Sequence, residues 1–324
     1  MSNVLRARGS VGAETAGRVR EAARALGYRP NLAARALAER RAPTIALFFT
    51  NILNPFYPQF ALEAERAARR RDHFLLVCNA ATAAGELDTA YLDAVAGTLS
   101  EGLIVLGSDL GRRSLLPMLP AGVPVVLSTW EVTDAYPTVP CVTVDFRVAG
   151  RLAAEHIASL GHRRIAILAG SEGDGVAHHA RYAGICETLA RCNLLPSDAC
   201  VRIVEDSIAG GHRAAMDLLR EQPDTTAIIA TNDLLAIGAL QAAAELHLPV
   251  PDRLSVIGIT DIWMAAQMRP ALTTIDISTA SLADGSVNLL LDLIRNPAEV
   301  PQSGLRVVGN PRLVRRASTG PPSG

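Results

Sequence analysis

At 324 residues the chain is long enough for about two domains of ordinary size. It is 49% hydrophobic and 19% charged, which excludes a disordered chain, and its net charge of −1 excludes a uniformly basic or acidic protein. Five cysteines without C-x-x-C spacing argue against a disulfide scaffold or a cysteine-bound zinc and fit a reducing cytoplasm. No apolar run approaches the roughly 18–20 residues of a membrane span, and the start of the chain has no signal-like apolar region. There is no lysine, which removes Schiff-base chemistry and the lysine of a phosphate-binding P-loop.

The near-neutral total conceals an asymmetry. Residues 1–41 hold nine arginines against three glutamates, a balance of +6, which leaves −7 for the rest. A small cationic head on an acidic body suits a polyanion partner such as nucleic acid; a solvated arginine-rich helix face is the alternative. Val19, Ala22, Ala23 and Leu26 recur at helical spacing behind Glu14, and Gly27 with Pro30 ends that helix. Asn31 then caps a short predicted helix over 32–39, and 40–43 close the head as a linker.

Beyond the head, short apolar runs alternate with amphipathic stretches. Strands are predicted at 44–50, 74–79, 102–107, 123–128, 142–145, 164–169, 227–231 and 254–260. Helices are predicted at 59–71, 86–99, 148–160, 179–192, 211–220 and 234–246. Alternation of this kind means βαβ units, here two doubly wound parallel-sheet subdomains of about five strands each. Ligands of such sheets bind outside the carboxyl ends of the strands. The residues found there, 51–57, 128–130, 145–147, 170–172, 232–233 and 260–261, mix aromatics, amides and carboxylates, as a polar small-molecule cleft requires.

Four phrases carry a family resemblance: RVREAARALGYRPNLAARALAERR at 18–41, TIALFFTNILNPFY at 44–57, VTVDFRVAGRLAAEHIASLGHRRIAILAG at 142–170, and AIIATNDLLAIGALQAAAELHLPVPDRLSVIGITD at 227–261 with PALTTI after it. In order and at these separations the chain resembles the lactose-repressor (LacI/GalR) family of transcriptional regulators over essentially its whole length. The resemblance implies a periplasmic-binding-protein-like core behind an α-helical DNA-binding head. The expected division is head and hinge helix at 1–42, a first effector-binding subdomain at 43–145 and 276–304, a second at 146–275 and 305–318, and a tail at 319–324. It also implies a homodimer on a palindromic operator, with closure on a small effector changing the spacing of the two hinges.

In that reading Ser2, Asn3, Arg6, Tyr28, Asn31 and Arg35 face DNA, and Leu37 is the hinge leucine that wedges into the minor groove. Arg40 and Arg41 steer phosphates. The match begins only midway through the family's recognition helix, with Met1 where valine is common. A start codon assigned too late is the expectation, with operator binding weakened in the chain as written.

Phe56, Tyr57, Arg181, Asn232, Asp233, Thr260 and Asp261 match effector-site positions, with Asp233 as the hydroxyl or amine acceptor; Trp130 is left between stacking on a ligand ring and core packing. Asp145 is left between ligand contact and helix cap. Thr260 stands where many members carry aspartate. No cofactor, metal or catalytic constellation is expected: there is no G-x-S-x-G elbow, and the acidic 170–175 loop suits a cleft rather than a phosphate. A solute-binding protein and a sensing core without DNA binding are the alternatives.

Overall fold

The structure, a computed structural model, describes residues 12–26, 43–49, 51–79, 88–106, 122–129, 131, 139–172, 175–298 and 304–323. The chain divides into two units, Met1–Pro43 and Thr44–Gly324. In the first, Ala13–Ala25 forms helix α1, with Glu14 in its first turn and Arg24 in its last, the charge order that the helix dipole favours. Leu26 is its C-cap and is exposed. The short helix expected at 32–39, and with it Ser2, Asn3, Arg6, Tyr28, Asn31, Arg35 and Leu37, lies outside the described residues.

The second unit holds two sheets. The first contains β1 (Thr44–Phe49), β2 (Phe74–Asn79), β3 (Leu103–Leu106), β4 (Val125–Ser128), β5 (Pro140–Thr143) and, from far along the chain, β12 (Gly304–Val307). They run parallel in the order β12-β5-β4-β3-β1-β2. The continuous apolar run of β1 is explained by burial on both faces. Ile45, Leu47 and Phe49 pack toward α2 (Phe56–Arg69) and α8 (Thr279–Arg295), while Ala46 and Phe48 pack toward α3 (Thr89–Thr98). Helix α2 turns Tyr57, Phe60, Ala61, Ala64, Ala67 and Ala68 inward, two aromatics in its first turns followed by a stripe of alanines that lets it lie close to the sheet.

The second sheet contains β6 (Ile165–Glu172), β7 (Gly175–Val176), β8 (Val201–Val204), β9 (Ala227–Ala230), β10 (Ser255–Thr260), β11 (Thr273–Asp276) and β13 (Arg312–Val314). Its spine is β13-β11-β10-β9-β6; β8 joins β6 in parallel and β7 folds back antiparallel on the end of β6. Helices α4 (Phe146–Ser159) and α5 (His179–Arg191) cover one face, and α6 (Ile208–Glu221) with α7 (Asp233–Glu245) the other.

The architecture is the expected pair of doubly wound sheets, larger than foreseen, with six and seven strands. The strand expected at 142–145 sits at 140–143, because Asp145 leaves the sheet to cap α4. The last passage between subdomains was expected at 304/305. It falls instead between β12 and β13, because Gly304–Val307 pairs with Pro140–Thr143 and covers the edge of the first sheet.

The segment read as a tail is stitched into the second subdomain. Ser318 exchanges hydrogen bonds with Val256, and Thr319 Oγ1 lies 2.9 Å from His156 Nε2. His162 Nε2 lies 2.9 Å from the Gly320 carbonyl and 3.0 Å from Ser255 Oγ, while its Nδ1 meets Thr226. Buried polar groups need such partners, and the chain end supplies them.

Candidate functional site

The carboxyl ends of both sheets converge on one cavity of about 120 Å³. From the first subdomain come Asn51 and Asn54 after β1, Phe56 and Tyr57 opening α2, and Thr129 and Glu131 after β4. From the second come Ser171, His178, Arg181, Asp206, Asn232, Asp233 and Thr260. Two β-branched residues on the rim, Thr129 and Thr260, hold positive φ (66° and 139°), a strain of the kind that gathers at binding sites.

Arg181 is placed by packing rather than by its own reach. Helices α4 and α5 cross so closely that a Cβ on Gly150 would strike the Arg181 carbonyl, and one on Gly184 the Arg147 carbonyl. Only glycine permits that approach. The crossing lays the guanidinium 4.5 Å from the Phe146 ring centroid. Its Nη1 donates to the Thr231 carbonyl (3.0 Å) and its Nη2 to Glu131 Oε1 (2.6 Å). Both partners of this ion pair are almost fully buried, with side chains 8% and 2% exposed. The pair spans the cleft: Glu131 follows a strand of the first subdomain and Arg181 belongs to a helix of the second.

Around it the second-subdomain wall is knitted together. The Gly170 amide donates to Thr231 Oγ1 (3.1 Å), and His178 Nδ1 lies 3.1 Å from that hydroxyl. His178 Nε2 is 3.7 Å from Asp206, which also accepts from the Asn232 amide. Burial, with Arg181 and His179 nearby, pushes the His178 ring well below its ordinary pKa, so it is neutral.

A family model of the periplasmic binding protein-like domain matches residues 154–319, just over half of the chain. The HTH-type transcriptional repressor PurR of Klebsiella pneumoniae subsp. pneumoniae is 29% identical over 98% of this chain and 92% of its own length. PurR of Glaesserella parasuis is 28% identical over 93% and 87%. Among solved structures, a Lac repressor bound to ONPG in the repressed state superposes with TM-score 0.81 at 26% identity, covering 98% of this chain and 94% of that one. The chain belongs to the LacI/GalR family of transcriptional regulators. A CelR–cellobiose complex (TM-score 0.75, 27% identity, 98% and 94% covered) and a LacI family regulator from Enterococcus faecium with bound ribose (0.71, 27%, 86% and 99%) are similar along the same core.

Within this LacI-family core the residues expected at the effector site fare differently. Phe56, Tyr57, Arg181, Asn232, Asp233 and Thr260 all line the cavity. Phe56 packs against the cores of both subdomains, and Tyr57 stacks 5.4 Å from Phe49. Asp233, expected as an acceptor for ligand, is 1% exposed and already accepts from Thr274 and the Ile262 amide. Burial, partly offset by those two bonds, raises its pKa to about 6. In this structure both of its oxygens are taken up in holding the turn after β10 to β11.

Asp145 does not line the cavity; its carboxylate accepts from the Val148 amide (2.9 Å) as the cap of α4. Asp261 points elsewhere too, bonded to Arg316 (2.6 Å) beside a second hollow at 276–281. Trp130 lies outside the described residues. Sequence reasoning named Asn54 only within the segment 51–57 and did not single out Glu131, His178 or Asp206 as effector-site residues. Position just past a predicted strand end, the rule applied to Asn232, would have found Glu131; Asp206 follows β8, a strand that the sequence pattern did not announce.

Proposed function

We propose that this LacI-family regulator is a cytoplasmic, homodimeric repressor that binds a palindromic operator through its arginine-rich head and senses a sugar or related polar metabolite in the cleft. The observation that carries the reading is a cavity lined by the carboxyl ends of both subdomains' sheets, with one partner of its buried ion pair on each wall. A ligand held there has different contacts in open and closed arrangements, which is what couples ligand affinity to DNA affinity. The cavity is smaller than the roughly 300–1,000 Å³ usual for drug-sized ligands, which favours a compact, monosaccharide-scale effector.

Among the described residues an enzyme reading has a geometric claimant in the hydroxyl–imidazole–carboxylate series Thr231, His178 and Asp206. Thr231 is wholly buried and accepts the Gly170 amide, so its oxygen offers no substrate an approach. A solute-binding protein would share the core and leave the cationic head without a role.

The test uses protein purified from its host. Duplexes selected from random-sequence DNA should share one palindrome, and a member of a panel of neutral sugars, sugar acids and nucleobases should change that affinity by at least about tenfold. Loss of sequence preference, with the core folded, would sink the repressor reading.

A further inference from the structure

Among the described residues lining the cavity Arg181 is the only cation, since His178 is neutral, and both of its terminal amino groups and one face of its guanidinium are engaged from within the protein. Glu131 Oε1 takes one of its amino groups, the Thr231 carbonyl the other, and Phe146 lies against its face. An arginine in a polar cleft is ordinarily the place where a ligand's carboxylate or phosphate docks in bidentate fashion. Here the opposite wall has delivered an anion to that place already. Besides Glu131, the carboxylates of Asp206 and Asp233 line the cavity, and the other polar lining groups are amides and hydroxyls. An incoming anion therefore meets a neutralised guanidinium and further carboxylates, a like-charge arrangement that rejects it. Hydroxyl groups meet the reverse: the Asp206 carboxylate, which accepts from them, and amides that donate.

We propose that Glu131 is a tethered anion filling the anion subsite of Arg181, so that the cleft takes an uncharged polyhydroxy effector and rejects carboxylate- or phosphate-bearing ones. This rests on the cleft being the effector site, as above, and it adds the charge class and the residue that sets it. Removing Glu131 should convert Arg181 into an open anion subsite.

The experiment is thermal denaturation of the full chain, wild type and Glu131→Ala, in sodium acetate and in sodium chloride at equal ionic strength. Acetate should raise the midpoint of Glu131→Ala saturably and leave the wild type unmoved. D-gluconate and glucose 6-phosphate, silent on the wild type, should bind Glu131→Ala at least about tenfold more tightly. Glu131→Asp, which keeps the charge, should retain the wild-type rejection. If Glu131→Ala does not fold in chloride, its refolding yield in acetate becomes the readout. A variant indifferent to acetate in both midpoint and yield overturns the proposal, as does a wild type stabilised by D-gluconate or glucose 6-phosphate. Failure of the repressor reading looks different: no selected palindrome, with the acetate response intact.

Discussion

On the second-subdomain wall of the cleft, His178, Arg181, Asp206 and Asn232 hold one another or the backbone of neighbouring strands through side-chain bonds. On the first-subdomain wall, Asn51 and Asn54 turn inward on their own loop, accepting from the Leu53 and Phe56 amides, and the aromatics Phe56 and Tyr57 provide the apolar surface. One wall is a preset polar template fixed by strand ends and a tight helix crossing; the other is a loop with an aromatic plate. Glu131 is the exception, a charge carried by the looser wall and bonded to the firmer one. The bonded polar groups of the cleft thus belong mainly to one subdomain, and the buried ion pair links the two.

The strongest way to break this contrast is to strand one member of that link. Arg181→Ala leaves Glu131 buried without its guanidinium and should cost about 3–5 kcal/mol in chemical denaturation. The double replacement Arg181→Leu with Glu131→Leu should recover most of that loss, because two apolar groups need no partner. Equal losses in single and double variants would show that the pair does not act as a unit.

The template can be loosened without touching a polar group. Gly184→Ala pushes α5 away from α4 and should cost about 1–3 kcal/mol while weakening effector binding, since Arg181 rides on that helix. Calorimetric titration with an effector identified from the sugar panel checks it; unchanged affinity would mean that the crossing does not set the guanidinium.

Asp145→Ala sharpens the assignment of a carboxylate to folding rather than recognition. Stability should fall by about 1 kcal/mol, the usual worth of an N-cap, with effector affinity untouched.

The smallest effect concerns pH. Burial lowers the pKa of His156 and His162 in the folded chain below their ordinary 6.5, a shift to which Arg315 adds at His156. The unfolded chain then binds more protons as pH drops, so their contribution is present above 6.5 and is lost as pH falls from there through the lower folded values. Urea midpoints should decline over that window, less steeply in His162→Asn.

Much of this fold was legible in the sequence. The buried strands announced themselves as unbroken apolar runs, and six helices appeared at nearly their true bounds. The helix at Thr279–Arg295 escaped because its first turns are small and polar and Ser278, at φ 57°, offers no capping bond. The strand at Val201–Val204 escaped because a half-exposed edge carries little apolar signal. At the site, Arg181 and Asn232 were readable from motif, whereas Asp145 and Asp233 could be sorted into cap and turn-holder only from their bonds. Glu131 carries no periodic signal, and its partner lies 50 residues away along the chain and across the cleft.

The stitching of Ser318 to Gly320 beside His156 and His162 bears on the order of synthesis. The first subdomain has β1 to β5 in hand early, lacking only α8 and β12. The second cannot seal its buried histidines until Ser318, Thr319 and Gly320 have left the ribosome. A polypeptide stopped just short of Ser318 would therefore emerge with one lobe nearly complete and the other open at its base, a natural substrate for proteolytic disposal.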